Sequence, residues 1–268
     1  MKIKLKGVCV PSSYDIIGSI AILKFSSELL ENKEEICNSI FKINKNVRTI
    51  AFDKGVKGIH RTRELEVLAG VDSLITKHKE FGMVLSMDLR KVYFSPRLAT
   101  ERKRIVDLVN DGETIIDMFA GIGSFSVLIA KNKKPKKIYA IDINPDAFFY
   151  LNENIRLNRI SNIVPMLGDA KAILEEMRKK GFGGADRIIM NLPFSGNEFL
   201  QTAISTLKEN GMIHYYEILE DGKIYDRVKE IEREYNVRIV NIRNVKCYSP
   251  NKIHVGFDIL GGKDVHNS

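Results

Sequence analysis

The sequence predicts an α/β protein in which a mainly parallel, Rossmann-like sheet follows a smaller N-terminal α+β region. Three observations lead there. From Asp111 onward, short apolar runs alternate with helical stretches of 8 to 13 residues, the spacing of βαβ crossovers. The last two apolar runs, 238–245 and 253–260, lie too close together for a crossover helix, so they must pair antiparallel at one edge. The first hundred residues show no such alternation.

Taken in order, residues 3–8, 49–52, 83–87 and 91–95 alternate like strands. A helix is expected over 27–41, where Leu29, Leu30, Ile36, Cys37, Ile40 and Phe41 fall near one face. Runs 83–87 and 91–95 flank Asp88-Leu89 and are read as a hairpin, and a helix over 98–109 leads into the second half. There, strands are expected at 114–117, 138–143, 163–167, 187–191 and 212–216, with helices at 124–131, 145–157, 170–179 and 198–209. The domain boundary is placed between 1–95 and 96–268, and residues 261–268 are expected to fray.

Composition narrows the class. With 44% hydrophobic and 28% charged residues in 268, the chain has enough apolar material for a full core without disulfide or metal support. Cys9, Cys37 and Cys247 form no CxxC pair and the five histidines show no metal-ligand spacing, so no metal is expected. The opening MKIKLKGVCV lacks a signal-peptide core, and the apolar stretch 16–23 is broken by Gly18 and Ser19. A cytoplasmic protein without a membrane segment is the expectation. The net charge of +8 is unevenly spread: residues 1–104 hold 20 Lys and Arg against 12 Asp and Glu, whereas 105–268 hold 22 of each. A basic module beside a neutral one suggests a polyanion held by the first and chemistry done by the second, although a solvated lysine-rich surface reads the same way.

The chemistry-bearing residues follow the strands. Asp117-Met-Phe119-Ala120-Gly121-Ile-Gly123 ends one strand and opens a helix, so a ligand can approach bare backbone beside helix-terminal N–H groups. An acid at that strand tip repels phosphate but holds an ammonium or a loop amide, which favours S-adenosylmethionine over NAD. Asp142 ends the next strand, 19 residues after Gly123, where a carboxylate can accept ribose hydroxyls, with Ile143 beside it. Asp169, followed by Ala170, comes just after the third strand in Leu167-Gly-Asp169 and can accept from an adenine amino group. Asp142 and Asp169 each also read as helix N-caps. The fourth strand ends in Asn191-Leu-Pro193-Phe194, a slot for a flat base, or else a capped junction with Phe194 in the core.

These segments, with HRTRE at 60–64, RKVYFSPR at 90–97 and ATER at 99–102, resemble the archaeal and eukaryotic family of tRNA (guanine-N1)-methyltransferases acting beside the anticodon. A relative in that family is the wybutosine-pathway enzyme that transfers a 3-amino-3-carboxypropyl group to tRNA(Phe). The resemblance spans about residues 55–260. It implies a class I S-adenosylmethionine-dependent methyltransferase fold, S-adenosyl-L-methionine as cofactor, the tRNA(Phe) anticodon stem-loop as partner of a basic tRNA-binding domain, and a monomer. It implies catalytic roles for Glu101, Asn191 and Arg61, with Glu101 matching a general base. Cofactor contacts are implied for Asp117, Phe119, Ala120, Gly121, Gly123, Asp142, Ile143, Asp169, Ala170, Asn191, Pro193, Arg97 and Tyr93. Because little chain precedes the matched region, the aminocarboxypropyl reaction is the expectation and guanine-N1 methylation the alternative. Two readings outside the family are a tRNA-binding protein with a degenerate pocket and an amino-group methyltransferase suggested by NLPF.

Overall fold

In a computed structural model, residues 3–5, 8–10, 14–24, 32–57 and 62–261 are described. The chain divides into two compact units, Met1–Ala99 and Thr100–Ser268. Cut there, the first unit holds 17 Lys and Arg against 11 Asp and Glu, and the second 25 against 23.

In the first unit, β1 (Ile3–Leu5) and β2 (Val8–Val10) pair antiparallel, where one strand over 3–8 was expected. The interrupted apolar stretch becomes a second hairpin, β3 (Asp15–Ile17) and β4 (Ile20–Leu23), turning at Gly18. Helix α1 (Lys33–Ile43) then leads to β5 (Thr49–Lys57), which lies parallel to β4. The expected helical residues 27–31 lie outside the described residues. Ile36, Cys37 and Ile40 of α1 pack on Ala21, Leu23, Val47 and Ile50, so the predicted apolar stripe does close the core. Strand β6 (Thr62–Gly70) completes the sheet in the order β3-β4-β5-β6.

The hairpin expected over 83–95 is corrected. Its partners are β7 (Ile75–Glu80) and β8 (Met83–Asp88), joined through Phe81 and Gly82, both at positive φ (43° and 80°) as a two-residue hairpin turn requires. Residues 91–95 are not a strand: Asp88 ends β8 by accepting from Arg90 N through Oδ1 and from Lys91 N and Val92 N through its carbonyl.

The second unit begins in α2 (Ala99–Leu108), after a 3-10 turn at Pro96–Leu98. There follow β9 (Thr114–Asp117), α3 (Ser124–Asn132), β10 (Lys137–Asp142), α4 (Pro145–Leu157), β11 (Ile163–Leu167), α5 (Ala170–Lys179) and β12 (Ala185–Met190). The helix expected over 198–209 is shorter, α6 (Leu200–Thr206). Thr206 bonds back to the Thr202 carbonyl and the chain turns extended at Leu207, opening β13 (Leu207–Glu220). Helix α7 (Ile224–Tyr235) was not anticipated, although Ile224, Val228, Ile231 and Tyr235 recur at helical spacing in a charged segment. Strands β14 (Arg238–Ser249) and β15 (Lys252–Leu260) form the expected antiparallel hairpin. The sheet order is β11-β10-β9-β12-β13-β15-β14, with β9 to β13 parallel and β15 antiparallel to β13. The C-terminal tips of β10, β9 and β12 therefore sit side by side.

Among the described residues, no helix is long and apolar enough to cross a membrane. One turn tests the first unit. A Cβ on Gly18 (φ +57°) would lie 2.2 Å from Thr76 Oγ1 and 2.4 Å from the Lys77 carbonyl oxygen. Gly18→Ala is expected to destabilise by about 2 kcal/mol in urea unfolding, and an unchanged midpoint would contradict this packing.

Candidate active site

The loop after β9 continues the ladder on both sides, with Met118 N bonded to the Ile189 carbonyl (3.0 Å) and Ala120 N to that of Ile141 (2.8 Å). Its two glycines serve different ends. Gly123 (φ +86°) opens α3, and a Cβ there would come within 2.6 Å of Leu151 on α4. Gly121 (φ +55°) faces open space, which leaves bare backbone for a ligand. Asn154, buried in α4, donates to the Ile122 carbonyl at 3.0 Å and holds the loop from behind.

The three acids are treated differently by the fold. Asp117 is 0% exposed; its Oδ2 accepts from Ser126 at 2.7 Å while Oδ1 has no hydrogen-bond partner. Burial pushes its pKa up to about 7 against the Ser126 bond, and the charge of Asp142 adds to the rise. Asp142 is half-buried, accepting from Gly121 N (2.7 Å) and Asn144 N (2.9 Å), so it braces the glycine loop. The cap of α4 is Asn144, not Asp142. Asp169 does cap its helix, accepting from Ala172 N at 2.9 Å. Beside these acids, Ile143 and Leu167 expose apolar side chains (57% and 48%), walls for a flat ring, while Ala170 is buried. Phe119 instead turns toward the core, edge-on to Phe199 at 5.0 Å, and Ala120 is buried.

At the tip of β12, Asn191 and Pro193 are half-buried, and the Pro193 carbonyl accepts from Ile218 N at 3.0 Å. Phe194 is not in the core; it is exposed, edge-on to Tyr248 at 5.5 Å.

Glu101, in the first turn of α2, is 2% exposed and heavily bonded. Tyr216 donates to it at 2.7 Å, Arg104 donates at 2.7 and 3.0 Å, and Arg243 lies 3.1 Å away. Arg104 also grips Asp258 at 2.7 and 3.1 Å, and Asp258 meets His214 Nδ1 at 2.6 Å. His214 Nε2 in turn lies 2.7 Å from Arg187, which holds Glu113 and the Leu108 carbonyl at the foot of α2. Of this chain the sequence singled out Glu101 alone. The alternation of His214 and Tyr216 on β13, facing Asp258 on β15, was the available signal.

In the first unit, Arg61 lies outside the described residues. Arg97 is ion-paired through Nε to Asp15 at 2.6 Å. Tyr93 is exposed with the Arg63 guanidinium 5.7 Å from its ring centre, whereas Phe94 is buried against His78.

Chemically, the strand tips offer a desolvated carboxyl oxygen lacking a donor, an open glycine, a braced acid and two apolar walls. That set fits a nucleoside carrying a cationic amino group. Among the described residues, no group of three or more His, Cys, Asp or Glu side chains is placed to hold a metal ion.

The TRM5/TYW2 methyltransferase domain family matches residues 76–240, and the TYW2 N-terminal domain family matches residues 6–73. The chain is 43% identical over 257 residues to the tRNA (guanine(37)-N(1))-methyltransferase Trm5b of Pyrococcus abyssi, spanning 93% of this chain and 74% of that protein. It is 34% identical over 253 residues to the tRNA(Phe) (4-demethylwyosine(37)-C(7)) aminocarboxypropyltransferase of Methanocaldococcus jannaschii, spanning 91% and 96%. Among solved structures, a complex of aTrm5 with tRNALeu aligns at TM-score 0.83 and 38% identity over 94% of this chain and 73% of that one. TYW2 of M. jannaschii in complex with AdoMet aligns at TM-score 0.67 and 30% identity over 92% and 98%. The fold is that of S-adenosylmethionine-dependent methyltransferases with a separate N-terminal domain.

His214 gives a prediction of its own. A guanidinium cannot accept a hydrogen bond, so Nε2 facing Arg187 must be the acceptor and Nδ1 must carry the proton given to Asp258. Burial lowers the His214 pKa below its usual value against the pull of Asp258. The imidazole is therefore expected to be neutral, protonated on Nδ1, at pH 6.5 by ¹⁵N NMR; an imidazolium signal there would contradict the geometry.

Proposed function

The chain belongs to the TRM5/TYW2 methyltransferase family, and from that premise we propose that it methylates N1 of the guanine at tRNA position 37 with S-adenosylmethionine. The observation that carries the reading is the bare Oδ1 of buried Asp117 at the tip of β9, an anion site built for an ammonium. Higher identity to Trm5b (43%) than to the aminocarboxypropyltransferase (34%) supports methyl transfer. The match of residues 6–73 to the TYW2 N-terminal domain family supports aminocarboxypropyl transfer as the second reading.

When bound, S-adenosylmethionine supplies a sulfonium whose carbons are open to nucleophilic attack. Asp117 holds the amino group of its methionine arm, Asp142 accepts from the ribose hydroxyls, and Ile143 and Leu167 flank the adenine with Asp169 at its edge. Asn191 and Pro193 position the target purine. Glu101 accepts the proton that must leave N1 as the ring is alkylated. In the first unit, Arg48, Lys77, His78 and Lys79 line an open groove of about 740 Å³ that suits the phosphates of the tRNA. For Tyr93, Arg97 and Arg61, cofactor and nucleotide contacts rest on the family resemblance alone; within the first unit Arg97 pairs with Asp15 and Tyr93 lies under Arg63.

With a tRNA transcript bearing guanine at position 37, label from the methyl group of S-adenosylmethionine is expected in the RNA, and none when guanine is replaced by adenine. Label entering from the carboxyl carbon, and only into 4-demethylwyosine-containing tRNA(Phe), would overturn this in favour of the second reading. Glu101→Gln is expected to slow single-turnover transfer about 10²- to 10⁴-fold.

Changing Arg48, Lys77 and Lys79 together to Ala should reduce the salt dependence of tRNA binding by up to about three charge equivalents. An unchanged slope would remove the groove from the RNA footprint.

A further inference from the structure

The chain of polar groups beneath Glu101 is more than a general base requires. From Glu113 through Arg187, His214, Asp258 and Arg104 to Glu101 and Tyr216, every link is 2.6 to 2.7 Å long at its shortest. Arg187, His214, Asp258, Glu101 and Tyr216 are all buried. Buried ion pairs seldom stabilise more than well-packed apolar side chains of the same size, so folding stability alone gives weak grounds for the arrangement.

Its centre is one cation shared between two carboxylates. Arg104 gives Nη1 and Nη2 to Asp258, and Nε and Nη2 to Glu101. Left wholly to Glu101, with Arg243 beside it, this guanidinium would stabilise the anion and make it a poor proton acceptor. Asp258 competes for Arg104. It does so with its charge uncancelled, because its other buried partner, His214, is neutral and only donates a hydrogen bond. We propose that His214, Asp258 and Arg104 are positioning residues for Glu101, a buried relay that fixes its carboxylate in place and keeps it basic enough to take the proton from the target base. The inference rests on the reading of Glu101 as proton acceptor.

The groups facing Glu101 are Arg104 from its own helix, Tyr216 from β13, Arg243 from β14 and His254 from β15, with Asp258 of β15 and then His214 of β13 behind Arg104. Tyr216 keeps its proton, since burial and then the charge of Glu101 raise its pKa well above the usual value. His254 stays neutral, because burial and then Lys246 push it down to about 4. Asp258 is held well below the usual carboxylate range: burial alone would raise it, but the bonds from His214, Arg104 and Asn241 prevail. Among the near groups, then, the balance at Glu101 is set by two guanidiniums against one anion.

The test is single-turnover methyl transfer to guanine-37 tRNA, with tRNA and S-adenosylmethionine affinities and melting temperature measured in parallel. Asp258→Asn is expected to slow transfer about tenfold with both affinities within about twofold. Removing that anion leaves Arg104 wholly to Glu101, so the loss should appear in the single-turnover rate and in neither affinity. His214→Leu should slow transfer likewise. His214→Gln should restore it, because an amide can both donate to Asp258 and accept from Arg187. In a Glu101→Gln background, Asp258→Asn should cost nothing further. An equal loss in both backgrounds, or lost affinity without lost rate, overturns the relay while leaving Glu101 as base. Should Asp258→Asn fail to fold, the His214→Leu and His214→Gln pair in the two backgrounds decides the matter in the same way. A Glu101→Gln variant at full rate overturns the base reading and the relay with it.

Discussion

A carboxyl oxygen that is out of water and without a donor costs free energy, and the rest of the second unit is arranged around one. Asp117 occupies the tip of the middle parallel strand, flanked by β10 and β12, where the Ser126 hydroxyl satisfies one oxygen and the other makes no well-formed hydrogen bond, with only weaker help from the backbone N–H groups of Ser126 and Phe119. Moving it would break the ladder through Met118 and Ala120 that shapes the glycine loop. Asp142 braces the same loop from the next strand, and Asn154 holds it from helix α4. The loop is thus preorganised before any ligand arrives, and burial with the nearby charge of Asp142 raises the proton affinity of Asp117, so a cationic group placed beside it would be favoured.

The opposite end of the sheet uses the other solution to buried charge. Where Asp117 is left with one oxygen bare, Asp258 is surrounded by His214, Arg104 and Asn241. The antiparallel hairpin makes this possible. Strand β15, inserted between β13 and β14, brings polar side chains from three strands onto one face against α2. A parallel βαβ unit would have placed a helix connection there instead. The antiparallel hairpin therefore builds the polar network beneath Glu101 as well as the edge of the sheet.

Much of this is legible in the sequence where local rules govern. The bounds of β9, α4, β11 and α5 follow from apolar periodicity and from Pro145 and Asp169 at helix starts. Local rules fail where a turn decides between alternatives. Phe81 adopts a positive φ that only tertiary context enforces, so the hairpin partner of β8 lies before it in the chain, not after. The helix α7 is amphipathic but so charged that its stripe is thin. For the site, the strand-tip acids could be picked out because each ends an apolar run. Sequence spacing read both Asp142 and Asp169 as possible caps, which holds for Asp169, and did not show that Asp142 instead braces the glycine loop. Nor did it join Glu101 to Asp258, because those contacts cross more than 150 residues of chain.

The account is tested most directly by the protons that accompany ligand binding. Calorimetric titration of S-adenosylmethionine at pH 6.5, in buffers of different ionisation enthalpy, reports how many protons the complex releases. With Asp117 near a pKa of 7 in the unliganded protein, most of it is protonated at that pH. An ammonium docked on Oδ1 must drive that proton off. Release of more than about half a proton, abolished in Asp117→Asn, is the predicted result. Tight binding without proton release would show that Asp117 does not face the cationic group, and the central claim would be wrong.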